Sequence, residues 1–302
     1  MALRLGIDLG GTKIAAAVLG PDGGVRWERR IPSPRDNYDA TLDALAALVR
    51  EGEAGAGETC SVGIGIPGAI SPVTGLVKNA NSTWLNGRPL HEDLERRLAR
   101  PVRLANDANC LAVSEGTDGA AAGAHVVFGV ILGTGTGAGI AIDGQVLTGA
   151  NAIAGEWGHN PLPWPSDTER PGAACYCGRR GCIETFLSGP ALAAAYRRAS
   201  AVDVKAEEVV ALAGQGDVDA GRVLDTWLSQ LARALATIIN VLDPDVVVVG
   251  GGLSNISRIY DEVPKRWGPF VFSDRVTTRI VPAKFGDASG VRGAAWLWPV
   301  LI

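Results

Sequence analysis

One histidine and three cysteines lie close together in the sequence, with the spacing H-x15-C-x-C-x4-C. They are His159, Cys175, Cys177 and Cys182. Four nitrogen and sulfur donors match the closed tetrahedral shell of a structural zinc. The alternative is a disulfide with a spare thiol. Adjacent Cys-x-Cys pairs bridge poorly, and the rest of the chain has the character of a cytosolic protein, so the spacing favours zinc.

Two carboxylates and two amides could bind a ligand that is rich in hydroxyl groups. Glu156 and Glu184 stand just outside the two ends of the donor set. A metal that joins these ends would bring both carboxylates into one neighbourhood. Asn81 and Asn106 add amide groups, which both donate and accept hydrogen bonds to sugar hydroxyls. Taken singly, each of these residues is more readily explained as a surface or turn residue.

Glycine-rich turns follow three of the apolar runs. They are Gly10-Gly11-Thr12-Lys13, Gly133-Thr134-Gly135-Thr136-Gly137 and Gly250-Gly251-Gly252. The first two join two strand-like segments, unlike the P-loop and Rossmann arrangements, in which the glycines open a helix. Backbone N–H groups without side chains can approach phosphate oxygens closely, so these two turns are candidates for phosphate binding. A tight hairpin is the alternative for each. The third turn could admit the base and ribose of a nucleotide.

Two aspartates are candidates for catalytic chemistry. Asp107 stands between an expected strand and an expected helix, where a carboxylate can take the proton from an attacking hydroxyl group. The alternative is an ordinary helix cap, provided by Asn106 or by Asp107 itself. Asp8 has two possible roles, either to coordinate a water on Mg²⁺ or to anchor its own turn.

Hydrophobic patterning places these residues on an α/β framework that occurs twice. The order strand, glycine turn, strand, Asp-Gly turn, strand returns after about 127 residues, counted from Gly6 to Gly133. Expected strands cover 3–9, 14–19, 25–31, 62–66, 102–104, 126–132, 140–142, 145–147, 246–249 and 277–281. Expected helices cover 38–50, 90–99, 108–116, about 255–263 and 290–298, and residues 187–241 are expected to be mostly helical with a long amphipathic segment over 220–241. The repeat predicts two α/β domains with a cleft between them. We expect residues 1–117 with 290–302 to form the smaller domain, and residues 118–289 the larger one with the cysteine block inserted.

Composition excludes several classes of function. The chain has 302 residues, a net charge of −4 and 47% hydrophobic residues, which offers no basic surface for nucleic acid or anionic membrane. No apolar run approaches the length of a membrane span, and Asp8 interrupts any signal peptide. We therefore expect a cytoplasmic protein with neither nucleic-acid nor membrane partners. Cys60 and Cys110 are expected to be buried small hydrophobic residues.

Together these residues resemble the ROK family (repressors, open reading frames, kinases). The resemblance covers essentially the whole chain, in the strings Asp8-Leu-Gly-Gly-Thr-Lys13, Asn106-Asp107, Gly133-Thr-Gly-Thr-Gly137, Glu156-x-x-His159, Cys175-x-Cys-Gly-x-x-Gly-Cys182-x-Glu184 and Gly250–Gly252. It implies a duplicated actin/hexokinase-like (ribonuclease H-like) fold. It also implies use of ATP with Mg²⁺ and transfer of the γ-phosphoryl group to a hexose 6-hydroxyl. A homodimer is common in the family.

The resemblance also implies roles for individual residues. Asp107 would be the catalytic base, and the glycine strings would bind ATP. The sugar contacts would come from Asn81, Asn106, Glu156, His159 and Glu184, and zinc would be held by His159, Cys175, Cys177 and Cys182. The stretches 78–87, 105–115 and 154–164 look like those of a bacterial fructokinase of the manno(fructo)kinase type. D-fructose is therefore the expected sugar, with mannose plausible, and glucokinase or N-acetylhexosamine kinase as alternatives.

Two non-kinase readings remain as alternatives. A sugar-responsive regulator of this family would carry a winged-helix module before the first glycine turn, and we expect no room for one before Gly6. An actin-like filament or chaperone ATPase would share the fold but not the sugar site, and the cysteine block with its glutamates argues against it. The proline-rich spacer 160–174 is longer than in many kinases of the family, which leaves its contacts open.

Overall fold

The computed structural model describes residues 3–298, in which ten of the twelve strands form two five-stranded sheets. The strands are β1 (Arg4–Leu9), β2 (Lys13–Leu19), β3 (Val25–Pro32), β4 (Ser61–Ile66), β5 (Ala69–Ile70), β6 (Val77–Lys78), β7 (Val102–Asn106), β8 (Val126–Leu132), β9 (Thr136–Ile142), β10 (Gln145–Val146), β11 (Val246–Gly250) and β12 (Arg279–Pro282). The two-residue strands β5 and β6 pair separately.

Both large sheets follow the same topology. The first has the order β3-β2-β1-β4-β7, and the second has the order β10-β9-β8-β11-β12. In the first sheet β1 pairs antiparallel with β2 and parallel with β4. In the second, β8 pairs parallel with β11, and β11 pairs parallel with β12. The predicted α/β class and the predicted duplication of architecture are confirmed by this match.

The helices agree with the sequence pattern except at their ends. They are α1 (Tyr38–Ala56), α2 (Leu90–Leu98), α3 (Asp107–Thr117), α4 (Glu184–Leu187), α5 (Gly189–Ser200), α6 (Ala206–Gly214), α7 (Val218–Leu242), α8 (Arg258–Trp267) and α9 (Ser289–Trp296). α1 begins after Asn37, whose side chain accepts the N–H of Ala40, and it ends at Gly57 with φ of +76°. It therefore runs six residues past the predicted end. Within residues 3–298, no helix is long and apolar enough to cross a membrane.

Contacts divide the described chain into two compact units. The first comprises 3–123, 139–155 and 284–298, and the second comprises 124–138 and 156–283. The change from one unit to the other after Ala138 falls inside β9. The domain boundaries expected from the sequence, 1–117 with 290–302 and 118–289, stay a prediction, because compact units need not coincide with folding domains.

In the first unit, α9 lies directly on the sheet because two strand positions are glycine. A Cβ atom on Gly6 would overlap the carbonyl oxygen of Val291, and a Cβ on Gly63 would overlap that of Ala294. No other residue type allows the helix backbone so close to the strands. This close approach places the N-terminus of α9 beside the carboxylate of Asp8.

In the second unit, a buried ion pair attaches the proline-rich spacer to α7. Arg233 contacts Glu169 at 2.6 Å, and both side chains are less than a tenth exposed. Burial raises the pKa of Glu169, but the hydrogen bonds from Arg233 and Gln230 outweigh it and lower this pKa to about 2. Arg233 also donates to the carbonyl oxygen of Trp164 at 2.6 Å. The spacer contacts that the sequence left open are therefore made, at least in part, with α7.

Candidate functional site

The four predicted zinc ligands come together in the second unit. The ligand atoms of His159, Cys175, Cys177 and Cys182 all lie within 4.8 Å of one another. Cys177 Sγ is 3.6 Å from Cys182 Sγ, and Cys175 Sγ is 3.6 Å from His159 Nδ1. All five cysteines of the chain are free, so the alternative of a disulfide with a spare thiol is wrong. Cys60 and Cys110 are buried, as predicted.

Tight turns of the backbone bring the three cysteines to one point. The N–H of Cys175 donates to the carbonyl oxygen of Arg179 at 2.8 Å, and the N–H of Gly178 donates to that of Cys175 at 3.0 Å. Gly178 and Gly181 have φ of +88° and +70°, a conformation that residues with a side chain rarely adopt. The glycines of the motif are therefore required by the shape of the loop.

The donor set fits a structural zinc in distance and in hydrogen bonding. Two sulfurs at ~2.3 Å from a tetrahedral zinc lie roughly 3.8 Å apart, close to the observed separation of Cys177 and Cys182. His159 Nε2 lies 3.0 Å from the hydroxyl of Tyr176, which leaves Nδ1 for the metal and orients the ring. Burial, and after it the hydrogen bonds to the neighbouring thiols, raises the pKa of Cys182 to about 12, so without a cation this thiol stays protonated at neutral pH.

The two glutamates that flank the cluster lie beside the second glycine turn. Glu184 opens α4, and its Oε2 accepts the N–H of Thr136 at 3.0 Å. Its Oε1 lies 3.9 Å from Cys175 Sγ. Glu156 begins the short 3-10 helix Glu156–His159, in which a Cβ on Gly158 would overlap the carbonyl oxygen of Thr136. Glu184 and the 3-10 helix that contains Glu156 and His159 therefore both pack against Thr136.

A cavity of about 390 Å³ opens next to the same turn. Its lining includes Gly133, Thr134, Pro190, Val204, Lys205 and Gly252. A Cβ on Gly133 or on Gly252 would meet no atom within 4 Å, so both positions face open space. A cavity of this size, with mostly apolar walls and a few polar groups, is typical of a small-molecule site. Phosphates at Gly133 and a nucleoside towards Gly252 would match the roles expected of these two turns.

The first glycine turn lies in the first unit and is held differently. The N–H of Gly10 donates to the carbonyl oxygen of Lys13 at 3.0 Å and closes the hairpin. Ser33 Oγ donates to the carbonyl oxygen of Gly10 at 2.6 Å, and Arg35 Nε donates to that of Gly11 at 3.1 Å. The carbonyl groups of this turn are therefore directed towards residues 33–35. Lys13 Nζ lies 3.5 Å from Asp287 at the surface.

Asp8 is the penultimate residue of β1, just before this turn, and is largely buried. A Cβ built on Gly290 would lie 3.0 Å from Asp8 Oδ2, so the carboxylate lies against the start of α9. Burial, and after it the negative charge of Asp107, raises the pKa of Asp8 to about 6, against the opposing charge of Lys13. The structure therefore brings the two predicted catalytic aspartates close enough to influence each other.

Asp107 is the first residue of α3, and its carboxylate is exposed. Its Oδ1 accepts the N–H of Ala108 at 2.8 Å, and Asn106 Oδ1 accepts the same N–H at 2.9 Å. The capping interaction weighed as an alternative is therefore present. Asp107 is thus a helix-terminal residue with an exposed side chain.

Asn106 connects Asp107 to the loop that carries Asn81. Asn106 Nδ2 donates to the carbonyl oxygen of Gly68 at 3.1 Å. A Cβ on Gly68 would overlap the backbone of residues 78–80, so these two loops are packed against each other. Asn86 holds the second loop by donating to and accepting from the backbone of Ala80, at 2.9 Å each. The exposed Asn81 follows directly.

Sequence reasoning missed one residue that shapes this region, Glu115. Its side chain is fully buried and accepts the N–H of Lys284 at 3.0 Å and the hydroxyl of Ser289 at 2.8 Å. These bonds tie the C-terminal half of α3 to the start of α9, next to Asp8. A carboxylate inside an otherwise apolar helix was the available signal, because such a group is buried only when it is hydrogen-bonded.

Comparison with known proteins gives consistent results. A model described as the ROK family matches residues 4–300. The N-acetyl-D-glucosamine kinase of Escherichia coli strain K12 is 43% identical over 296 residues, which cover 97% of this chain and 98% of that protein. The crystal structure of a ROK hexokinase from Thermus thermophilus has a TM-score of 0.87 at 30% identity, over 98% of this chain and 97% of that chain. A ROK family glucokinase from Streptomyces griseus in complex with glucose and AMPPNP has a TM-score of 0.76 at 28% identity, over 97% and 98%. The hexokinase-like fold predicted from the sequence is confirmed.

Proposed function

The chain belongs to the ROK family, and on this premise we propose that it is an ATP-dependent kinase acting on the 6-hydroxyl of a hexose. N-acetyl-D-glucosamine is the sugar that we propose first. The observation that carries this choice is the 43% identity, over 97% of the chain, to a protein named for that activity. Among the sugars expected from the sequence, this one had been an alternative to fructose.

The donor side of the proposal rests on the second unit. The cavity beside Gly133 and Gly252 would take the nucleoside, and the N–H groups of the second glycine turn would bind phosphate oxygens. A similar chain, the S. griseus glucokinase, is described in complex with an ATP analogue. When bound, Mg²⁺ would neutralise charge on the phosphates, and the Asp8 carboxylate would hold the ion or its water.

The acceptor side rests on Asp107. Its carboxylate would accept the proton of the sugar 6-hydroxyl while that oxygen forms a bond to the γ-phosphorus. The bond from the γ-phosphorus to the bridging oxygen breaks, and ADP leaves with the bonding electrons. The hydrogen bonds that orient the sugar would come from Asn81, Asn106, Glu156, His159 and Glu184.

The His159 cluster would hold zinc in a structural role. Four protein donors complete a tetrahedral shell and leave no position for a reactive water. The metal would fix the ring of His159 and the loop that leads to Glu184, which are two of the proposed sugar contacts. Protein purified without chelator is expected to contain about one zinc per chain, and less than about half an equivalent by elemental analysis would contradict the assignment.

D-fructose, with mannose, remains the second candidate for the sugar. It is favoured by the resemblance of residues 78–87 to the corresponding stretch of fructokinases. In this stretch the side chain of Asn86 is hydrogen-bonded to the backbone of Ala80, next to Asn81. The loop 78–87 is therefore a proposed determinant of which sugar binds. Related sugars differ by only a few contacts, so discrimination depends on pocket shape.

Initial rates distinguish these possibilities. N-acetyl-D-glucosamine, fructose, mannose and glucose are compared at equal enzyme and Mg-ATP, with ADP formation as the readout. We expect the highest kcat/KM with N-acetyl-D-glucosamine. A higher value with fructose would overturn the sugar assignment and leave the kinase proposal in place. ATP turnover that no sugar stimulates would overturn the kinase proposal and favour an ATPase of the same fold.

A further inference from the structure

The geometry of Glu184 points to a function beyond contact with a sugar. We propose that Glu184 holds the second glycine turn in its phosphate-binding shape and thereby couples sugar binding to nucleotide binding. The proposal rests on the proposed kinase function and adds a positioning role to a residue so far assigned to the sugar. Its two carboxylate oxygens point to different neighbours, Thr136 and Cys175.

The segment that follows the last cysteine holds the glycine turn at both ends. Glu184 accepts the N–H of Thr136 at one end, at 3.0 Å. At the other end the N–H of Gly189 donates to the carbonyl oxygen of Gly133 at 2.8 Å. Only Ile183 stands between Cys182 and Glu184 along the chain. The metal cluster is therefore connected to the phosphate turn through a short, hydrogen-bonded path.

Gly135 shows how closely the carboxylate approaches the turn. A Cβ built on Gly135 would lie 2.7 Å from Glu184 Oε2, which is too close for any real side chain. Thr136 is 5% exposed, so its N–H has little access to water as a substitute partner. A hydrogen bond to a charged acceptor at such a site is worth more than one between neutral groups, and its loss leaves a buried donor unsatisfied.

The consequence for binding follows from conformational preorganisation. If the turn spends less time in its binding shape, the apparent affinity for phosphate falls by the same fraction. Because Oε2 is engaged by Thr136, a sugar hydroxyl would be accepted by Oε1, which lies 3.9 Å from Cys175 Sγ and has a second lone pair. A sugar that binds Oε1 would also restrain the carboxylate and the turn. Sugar would then tighten nucleotide binding, and by thermodynamic linkage nucleotide would tighten sugar binding by the same factor.

The test is the affinity for AMPPNP, measured by calorimetry without sugar and again with saturating sugar. Glu184→Ala is expected to raise the dissociation constant without sugar roughly tenfold, and to bring the ratio of the two constants close to one. Glu184→Gln should keep most of the affinity, because its amide oxygen can still accept from Thr136. Glu156→Gln is the matched control. We expect it to weaken sugar binding while the AMPPNP constant without sugar stays unchanged.

Gly135→Ala tests the same contact from the other side and serves if Glu184→Ala fails to fold by circular dichroism. Its methyl group would displace the carboxylate without removing it. We expect Gly135→Ala to weaken AMPPNP binding to a similar extent, and to add little in a chain that also carries Glu184→Ala.

Each outcome decides a different claim. Wild-type affinity in Glu184→Ala, or a full additional loss from Gly135→Ala in the double variant, would overturn the positioning role. Failure of the wild-type chain to bind AMPPNP at all would instead overturn the proposed kinase function, and the inference with it.

Discussion

The two glycine turns occupy equivalent positions in two sheets of the same topology, yet different groups hold them. Around the first turn, Ser33 and Arg35 donate hydrogen bonds to backbone carbonyl oxygens. Around the second, the Glu184 carboxylate accepts a backbone N–H, and Gly189 donates to a carbonyl oxygen. The turns are alike as sequence strings and unlike in their surroundings.

The different surroundings suggest that the two turns have different functions. The first follows Asp8, whose pKa is raised partly by Asp107, so it lies in a region of interacting carboxylates. The second borders a cavity of about 390 Å³ and is hydrogen-bonded to Glu184, two residues after the last cysteine. We therefore expect changes near the first turn to affect chemistry and ionisation, and changes near the second to affect nucleotide binding.

The largest expected effect is that of Asp107→Asn. Loss of a general base lowers kcat by about 10²- to 10⁴-fold, while AMPPNP affinity should stay at the wild-type value. The asparagine oxygen can still accept the N–H of Ala108, so the start of α3 should be preserved. Steady-state rates and calorimetry measure the two quantities. Near-normal turnover would show that Asp107 is not the catalytic base. It would also contradict the expectation that the region of the first turn serves the chemical step.

A stability effect of Asp8 ranks next. Its pKa is raised from an ordinary value near 4 to about 6 in the folded chain, so folding favours the protonated form. The contribution of this group is fully favourable below pH about 4 and is lost as the pH rises through about 6, by at most about 3 kcal/mol. Asp8→Asn should therefore unfold at higher urea concentration than wild type above pH 6, with a flatter dependence between pH 4.5 and 7. Asp274→Asn, at an exposed carboxylate, is the control. A parallel pH dependence in Asp8→Asn and wild type would contradict the assignment.

Gly133→Ala should have a smaller effect, on binding alone. The added methyl group meets no protein atom within 4 Å and extends into the cavity proposed for the nucleotide. We expect AMPPNP to bind on the order of tenfold more weakly, with an unchanged unfolding midpoint. Gly221→Ala is the matched control, since its methyl group also meets nothing but lies on α7, where the change should stabilise the helix slightly. If Gly133→Ala and Gly221→Ala bound AMPPNP with equal affinity, the phosphates would not bind at Gly133.

The sequence was sufficient for features that depend on local pattern. Alternation of apolar residues and the glycine turns predicted both sheets, and the cysteine spacing predicted a cluster that the structure assembles. The missed features depend on contacts between distant segments. In the sequence, Glu115 is simply a polar residue within a predicted helix. Only the folded position of residues 284–289 shows that its carboxylate accepts hydrogen bonds from the N–H of Lys284 and the hydroxyl of Ser289. The contact of Glu184 with Thr136 is of the same kind, because it joins residues 48 positions apart.

Ser33→Ala is expected to have the smallest effect, and it tests the comparison from the side of the first turn. The change removes one hydroxyl bond to the carbonyl oxygen of Gly10, while the N–H of residue 33 still donates to Thr12 at 3.0 Å. A single neutral hydrogen bond contributes about 1 kcal/mol, so the unfolding midpoint should fall slightly. AMPPNP affinity should change much less than in Glu184→Ala, because the first turn is expected to serve the carboxylates rather than to shape the nucleotide pocket. If the two variants weakened AMPPNP binding equally, the turns would share the work of phosphate binding, and their different surroundings would reflect only two ways of holding the same hairpin.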